Sequence, residues 1–349
     1  MKQRLIPVIK TTILLHIGGL LALIMVGCAA NSMPAKAAAS SKIRVLIDSD
    51  ANNETDDQHA LAYAMFSGDI FDIEGITVNK TRNGGDVSEQ IKEAVRVVKL
   101  CGLYPDVPSY KGANGSFEEI RTQIHAPDFD GYEAVNFIIE QAKKKSDRKL
   151  VLLAIGKLTN IALALEKDPS IIPNVRVVWL GSNYPKPDEY NLLSDLSAAR
   201  YLLECPVDFE MVVVRNGDPS GTWGLQAYLE EILRRMPSLG PRISEPVIGR
   251  HGGEFFCFGD YSADLFSHAP RHGNPPWRSL YDVGAVAVVK NAHWAEANVI
   301  PRPALVGDKW VERPENPVKM ILWDNFDKDA ILRDFFSTME NYKPNTEMN

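Results

Sequence analysis

The chain alternates short apolar runs with longer stretches of helical periodicity, and this alternation restricts it to few folds. The apolar runs predict five strands, at residues 43–48, 72–78, 150–155, 175–181 and 208–214. Helices are predicted at residues 57–66, 87–100, 132–144, 159–167, 195–204, 222–236, 282–290 and 328–338. This order favours the α/β class, with a mostly parallel open sheet and helices on both faces. Binding sites in such sheets lie at the carboxyl ends of the strands.

Four carboxylates cluster where the first predicted strand ends. Asp48 and Asp50 close the apolar run, and residues two apart in a strand point to the same side. Asp56 and Asp57 follow at the start of the first predicted helix. Carboxylates this close repel one another unless a cation lies among them or some are protonated. The pattern therefore predicts an all-oxygen site suited to Ca²⁺ or Mg²⁺.

Helix capping is the alternative explanation for part of this cluster. Residues 55–58, Thr-Asp-Asp-Gln, have the form of a capping box, and acidic residues in a first turn interact favourably with the helix dipole. Capping accounts for the start of the helix but not for Asp48 and Asp50 at the end of an apolar strand. The metal or catalytic interpretation is therefore preferred.

The first 28 residues are interpreted as a signal peptide and not as part of the fold. Lys2, Arg4 and Lys10 are basic, and the stretch from 11 to 26 is mostly apolar but short for a membrane-spanning helix. Residues 23–28, Leu-Ile-Met-Val-Gly-Cys, resemble a bacterial lipobox, which predicts lipidation of Cys28. The alternative is ordinary cleavage after Ala37 or Ala39, which would release a soluble periplasmic protein.

Either cleavage predicts an exported chain that faces the periplasm or the cell exterior. If Cys28 is lipidated, this lipid anchor would be the only contact with the membrane. Residues 29–41 are small and polar and are interpreted as a linker, followed by one catalytic domain over residues 42–349. The net charge is −7 and no basic stripe is visible, so a nucleic-acid partner is not expected. After Cys28 the chain has three widely separated cysteines, which do not indicate a disulfide framework.

Polar residues follow several of the other predicted strands. Asn83 comes after the second strand, and residues 181–191 bring Asn183, Glu189 and Asn191 after the fourth. Asp282 opens a later helix. Each has a plain alternative as a loop former or helix cap. Together they deliver amide and carboxylate groups to one edge of the sheet, as a ligand with many hydroxyl groups requires.

These motifs resemble those of the inosine–uridine type nucleoside hydrolase family, from about Ile43 to about Val289. Asp48-x-Asp50 followed by Asp56-Asp57 is similar to the family's opening signature, with two more residues between the pairs. Residues 152–165, residues 177–191 and the pair Tyr281-Asp282 are similar to the later signatures. The resemblance implies an enzyme that cleaves the N-glycosidic bond of a ribonucleoside or similar riboside by attack of a Ca²⁺-bound water.

The resemblance also implies roles for individual residues. The Ca²⁺ ligands would be Asp50, Asp57, Asp282 and the backbone carbonyl of Ile155. Asp50 would also be the general base, and Asp48 would orient the ligands from behind. The hydroxyl groups of the sugar would be held by Asp56, Asn83, Asn183, Glu189 and Asn191.

Two departures from the family pattern concern the loop and the leaving group. Residues 51–55 lengthen the loop that joins the two acid pairs. Tyr281 stands where many members have a histidine, and a phenol is a poor acid at neutral pH unless its pKa is tuned. Tyr281 and His125 are therefore both candidates for the acid that protonates the leaving group. A zinc site at His268 and His272 is disfavoured, because Pro270 prevents a regular helix between them.

Two other functions stay open at this stage. One is a glycosidase on the same scaffold with a different substrate. The other is a periplasmic nucleoside or sugar binding protein without catalysis. Retention of three predicted metal ligands, Asp50, Asp57 and Asp282, argues against the binding protein. A small nucleoside or riboside is the expected partner in each case, and assembly into a homo-oligomer stays open.

Overall fold

The structure is a computed structural model that describes residues 42–53 and 55–342. The predicted signal peptide, the linker up to Ser41 and the lipidation site Cys28 lie outside the described residues, as does Glu54 of the lengthened loop. No helix in the described ranges has both the length and the apolar character of a membrane span.

An eight-stranded sheet forms the centre of the described region. Its strands, in chain order, are β1 (Ile43–Ser49), β2 (Phe71–Val78), β3 (Ser109–Lys111), β4 (Leu150–Ala154), β5 (Val175–Leu180), β6 (Asp208–Val212), β11 (Glu296–Pro301) and β14 (Lys319–Asp324). Their spatial order is β11-β14-β6-β5-β4-β1-β2-β3. All neighbours pair in parallel except β11 and β14, which are antiparallel.

Six shorter strands form two-stranded pairs outside this sheet. They are β7 (Gln226–Tyr228), β8 (Val247–Ile248), β9 (Glu254–Phe255), β10 (Trp277–Ser279), β12 (Ala304–Val306) and β13 (Lys309–Val311). Strand β7 pairs with β10, β8 with β9, and β12 with β13, each in antiparallel orientation.

Eleven α-helices in the described region fall into two groups that pack among themselves, as expected for helices on the two faces of a parallel sheet. They are α1 (Asp56–Phe66), α2 (Val87–Leu100), α3 (Phe117–Ile120), α4 (Tyr132–Lys143), α5 (Thr159–Lys167), α6 (Tyr190–Ser194), α7 (Leu196–Glu204), α8 (Leu229–Arg235), α9 (Phe258–His268), α10 (Tyr281–Lys290) and α11 (Lys328–Asn341). Helix α1 packs on α2, α9, α10 and α11, whereas α5 packs on α3, α4 and α7.

The central strands are buried on both faces, which explains their continuous apolar sequence. Every residue of β4 is buried, and the apolar residues of β1 after Ile43 are at most 1% exposed. The prediction of a mostly parallel open sheet is confirmed, and all five predicted strands are present within a few residues of their predicted limits. Cys101, Cys205 and Cys257 are buried and form no disulfide with one another.

Two segments differ from their predicted structure. The helix predicted over residues 222–236 is wrong in its first half, because residues 226–228 pair with β10 and only α8 is helical beyond a short 3-10 turn. Helix α9 lies in the stretch from 237 to 278, where the sequence predicts no helix or strand. Strands β3, β11 and β14 were not predicted.

Candidate active site

A cavity of about 440 Å³ opens at the carboxyl ends of the central parallel strands. Eight residues that the sequence singled out line it, and they come from five separate segments of the chain. They are Asp50, Asp56, Asp57, Ile155, Glu189, Asn191, Tyr281 and Asp282. The parallel topology therefore gathers these distant motifs at one edge of the sheet, as expected for this class of fold.

Asp48 lies behind the cavity and is held by three hydrogen bonds. Strand pairing places Thr77 beside it, and Thr77 Oγ1 donates to Asp48 Oδ1 over 2.6 Å. The side-chain amide of Asn160 donates to the same oxygen over 2.7 Å, and that of Asn79 donates to Oδ2 over 2.9 Å. Complete burial raises the pKa of Asp48 to about 6, although these hydrogen bonds act in the opposite direction. Asp48 is thus positioned to support its neighbours rather than to contact a ligand.

Asp50 faces the cavity and has one side-chain hydrogen bond. Thr81 Oγ1 donates to Asp50 Oδ2 over 2.5 Å, while Oδ1 lies near the loop that follows β4. That loop approaches closely because residue 156 is glycine: a Cβ atom there would lie 3.0 Å from Asp50 Oδ1 and 2.8 Å from the amide nitrogen of Asn79. Burial, together with the charges of Glu189 and Asp48, raises the pKa of Asp50 to about 7.

Three further carboxylates meet at the base of the cavity. One oxygen from each of Asp56, Asp57 and Asp282 lies within 4.8 Å of the others, and all three side chains are buried. Ser49 Oγ donates to Asp57 Oδ1 over 2.7 Å. Burial, followed by repulsion from neighbouring acids, raises the pKa of Asp57 and Asp282 well above its usual range. A donor set made only of carboxylate oxygens fits a hard divalent cation.

The geometry of the helix start does not favour capping as the reason for these acids. Thr55 precedes α1, but its side chain makes no capping hydrogen bond. By contrast, Asp86 and Asp195 cap α2 and α7 through their side chains.

Glu189 and Asn191 contact the cavity from the start of α6. Glu189 Oε2 accepts hydrogen bonds from the backbone N–H groups of Ser182 and Leu192, each over 2.8 Å. Its Oε1 accepts from the backbone N–H of Asn191 over 3.0 Å. The side-chain amide of Asn191 donates to Leu180 O over 3.0 Å. The Glu189 carboxylate therefore shapes this turn as well as lining the cavity.

Tyr190, which the sequence analysis did not single out, links the lengthened loop to the site. It lines the cavity together with Asn53. Its hydroxyl oxygen lies 3.1 Å from Thr81 Oγ1 and 3.2 Å from Asn53 Oδ1, and it accepts from the backbone N–H of Asn83 over 2.9 Å. The tyrosine thus ties the two loops that follow β1 and β2.

Aromatic rings form one wall of the cavity. The ring of Trp223 lies 5.2 Å from that of His272 and 6.2 Å from that of Tyr281, measured between centroids. Burial raises the pKa of Tyr281 to about 12. Arg278 also lines this wall, and its guanidinium donates to Pro270 O over 2.8 Å. A planar group that entered the cavity would meet these rings.

Three predicted site residues do not line the cavity. Asn83 is exposed and reaches the site only through its backbone bond to Tyr190. The side-chain amide of Asn183 donates to Asp188 O, and its oxygen accepts from the backbone N–H of Asn216, which does line the cavity. His125 is exposed in a turn and is not among the residues that line the cavity. The predicted contacts of these three residues with a substrate are not supported by this geometry and stay predictions.

Sequence comparison detects one protein family over most of the chain. The family described as inosine-uridine preferring nucleoside hydrolase matches residues 45–308. Pyrimidine-specific ribonucleoside hydrolase RihB of Escherichia coli is 26% identical over 196 residues, which is 49% of this chain and 59% of the relative. Probable uridine nucleosidase 2 of Arabidopsis thaliana is 28% identical over 193 residues, 47% of this chain and 57% of the relative. The chain thus spans less than two thirds of the length of these curated relatives.

Solved structures share the fold over a longer range. The purine-preferring ribonucleoside hydrolase from Gardnerella vaginalis superposes with a TM-score of 0.63 and is 22% identical. The superposition covers 86% of this chain and 98% of that chain. At this identity the likeness shows the shared fold.

Proposed function

Because the chain belongs to the inosine-uridine preferring nucleoside hydrolase family, we propose that it hydrolyses the N-glycosidic bond of a ribonucleoside or a similar riboside. One observation carries the proposal: Asp50, Asp56, Asp57 and Asp282 converge on one cavity that also has an aromatic wall. Acids and aromatic rings in one cavity match the two parts of a nucleoside, a polyhydroxylated sugar and a planar base.

The polar side of the cavity would bind the sugar. Asp56, Glu189 and Asn191 all line it, and carboxylate and amide oxygens accept hydrogen bonds from hydroxyl groups. Cleavage of the glycosidic bond passes through a state in which the sugar ring carries positive charge. The same carboxylates would stabilise that charge, because they are fixed in place before the reaction begins.

Asp50 would act as the general base. Its Oδ2 already accepts from Thr81, so Oδ1 is the atom that would take the proton. As a water oxygen bonds to C1′ of the ribose, the C1′–N bond breaks, its electron pair leaves with the base, and the water proton passes to Asp50. Burial favours the uptake of a proton by this carboxyl, because it disfavours the charged form.

The residues that would hold Ca²⁺ are Asp50, Asp57, Asp282 and the carbonyl of Ile155, all of which line the cavity. When bound, a divalent cation of this kind orients a water molecule and lowers its pKa. The buried acids fit this assignment, because a cation would compensate charges that burial otherwise disfavours.

His272 is the residue best placed to protonate the leaving base. It lines the cavity and its ring lies next to Trp223, on the side where a base would bind. Tyr281 would stay protonated through the reaction, because its pKa is raised to about 12. We therefore assign Tyr281 to the wall that holds the base and His272, in place of His125, to proton donation.

Export to the cell surface or periplasm forms part of the proposal and rests on the sequence of residues 1–41 alone. A lipid anchor at Cys28 would place the cavity outside the cytoplasm, where it would act on nucleosides from the surroundings. Assembly into a homo-oligomer stays a prediction.

The test is a substrate panel with the mature protein, with and without Ca²⁺. Purine and pyrimidine ribonucleosides and small synthetic ribosides would be incubated, and the free base and reducing sugar would be quantified. Release of both in equal amounts, lost after chelation and in Asp50→Asn, is the expected result. Asp329→Asn, which changes an exposed acid in α11, is the matched control and should behave as the wild type.

Two outcomes would contradict the proposal. Nucleoside binding without any release of base would favour a binding protein. Turnover unchanged in Asp50→Asn would remove that residue from the reaction.

A further inference from the structure

We propose that His251, Asp264 and His268 form a second metal site, separate from the acidic cavity, that takes a divalent transition metal such as Zn²⁺. One nitrogen from each imidazole and one carboxylate oxygen lie within 4.8 Å of one another. This site has a different chemistry from the acidic cluster, because imidazole ligands select transition metals over Ca²⁺.

The local geometry already resembles that of a metal site. His251 Nδ1 lies 3.2 Å from Asp264 Oδ2, and His268 Nδ1 lies 3.3 Å from Asp264 Oδ1. Ligand atoms around a tetrahedral zinc ion lie about 3.4 Å apart. His268 Nδ1 also lies 2.9 Å from the backbone carbonyl of Asp264, and hydrogen bonding to Asp264 would explain each histidine singly. It does not explain why the two imidazole rings also stack, with centroids 4.2 Å apart and planes inclined by 28°.

Two different elements supply the three ligands. Asp264 and His268 are four residues apart in the last turn and a half of α9, so they lie on the same face of that helix. His251 lies in the turn between β8 and β9, which closes with a hydrogen bond from Gly249 N to Gly253 O over 3.1 Å. A bound metal would therefore join the β8–β9 hairpin to the end of α9.

This junction borders the candidate active site on two sides. Pro270 and His272, which line the cavity, lie two and four residues after His268 in the chain. Arg250, which precedes His251, is close enough to Asp57 for its charge to oppose the rise in the pKa of that acid. A metal at the junction would thus fix both the segment that carries His272 and the turn that carries Arg250.

The experiment measures metal binding directly, so its result does not depend on the proposed hydrolysis. The mature protein would be titrated with Zn²⁺ against a coloured chelator, in millimolar Ca²⁺ so that the acidic cluster is occupied by calcium. We expect about one zinc ion per chain and a higher melting temperature when zinc is present. His268→Ala should weaken zinc binding by at least about tenfold and remove the thermal shift.

Two further variants keep the test decisive. His251 lies in a surface turn, so His251→Ala leaves α9 intact. This variant should also lose zinc binding, even if His268→Ala disturbs the helix. His293→Ala changes an exposed histidine elsewhere in the chain and should keep wild-type binding. Absence of micromolar zinc binding in the wild type, or equal binding in the wild type and both ligand variants, would overturn the proposal.

Discussion

Replacing Asp50 by asparagine should stabilise the metal-free protein even though it abolishes turnover. Asp50 is 1% exposed, and its burial, with the charges of Glu189 and Asp48, raises its pKa from 3.8 to about 7. This difference corresponds to about 4 kcal/mol by which the folded state disfavours the ionised carboxyl. Asparagine keeps an oxygen that can accept from Thr81 Oγ1 and has no charge to desolvate.

The pH dependence follows from the direction of the shift. Because the folded-state pKa is raised, the stability contributed by the protonated carboxyl is fully present below about pH 4 and is lost as the pH rises through about 7. The stability of Asp50→Asn relative to the wild type should therefore increase by about 1.4 kcal/mol per pH unit in that window and then level off. Burial lowers the pKa of His59 to about 4 in both proteins, so the effect of this residue cancels in the difference. Asp56, Asp57 and Asp282 do not cancel, because the charge of Asp50 raises the pKa of each; their response widens the gap in the same direction.

The assay is chemical denaturation of both proteins after chelation, between about pH 5 and pH 8. The gap in unfolding free energy should widen by about 3 kcal/mol between pH 5 and pH 7. Addition of Ca²⁺ should stabilise the wild type more than the variant, and Asp329→Asn should show no widening. A gap that does not change with pH, or a variant less stable than the wild type throughout, would refute the reasoning.

Three further predictions concern the leaving group, the sugar-binding turn and the anchor. His272→Gln should slow natural nucleosides by roughly 10²-fold but leave p-nitrophenyl riboside near the wild-type rate, whereas Tyr281→Phe should affect both alike; steady-state rates on the two substrates decide. Glu189→Gln should lower the unfolding free energy by about 1–3 kcal/mol in urea denaturation. The side-chain NH₂ group of the glutamine would replace an oxygen that accepts from backbone N–H groups, so donors would face donors. Cys28→Ala should abolish incorporation of labelled fatty acid and release the protein from membranes; an unchanged membrane fraction would contradict lipidation.

The sequence predicted the sheet and the first acid cluster because both depend on local patterns. The buried strand β1 is a continuous apolar run, and α1 begins at the acid pair Asp56-Asp57. Parallel topology then brings Ile155, Glu189 and Asp282 to the same edge, since each follows the carboxyl end of a strand or opens a helix near it.

Tertiary contacts decided the segments that the sequence did not predict. Residues 226–228 carry a helical pattern, but pairing with β10 makes them extended. Helix α9 has apolar residues at helical spacing, including Phe258, Tyr261 and Leu265, but glycine, proline and histidine around it hide the periodicity. Strand β11 is an exposed edge strand and has no apolar run to mark it.

Tertiary contacts also explain why the sequence did not indicate how some residues of the site are placed. Trp223 and His272 are 49 residues apart in the chain and become neighbours where β7 and β10, the strands that follow them, pair with each other. Asn183 was predicted to face the sugar, yet its side chain holds the loop that carries Asn216. A sequence places a polar residue in a loop but does not specify which way the side chain turns.

Hydrogen bonding supports the different roles that the family resemblance implies for Asp48 and Asp50. Both are fully buried at the end of β1, so desolvation alone would treat them alike. Asp48 uses both oxygens to accept from Thr77, Asn79 and Asn160, and its pKa rises only to about 6. Asp50 accepts from one hydroxyl, its pKa rises to about 7, and it lines the cavity. A carboxylate with one oxygen that no side chain bonds can take a proton, so the pattern of donors supports the proposed roles of Asp50 in proton transfer and of Asp48 in support.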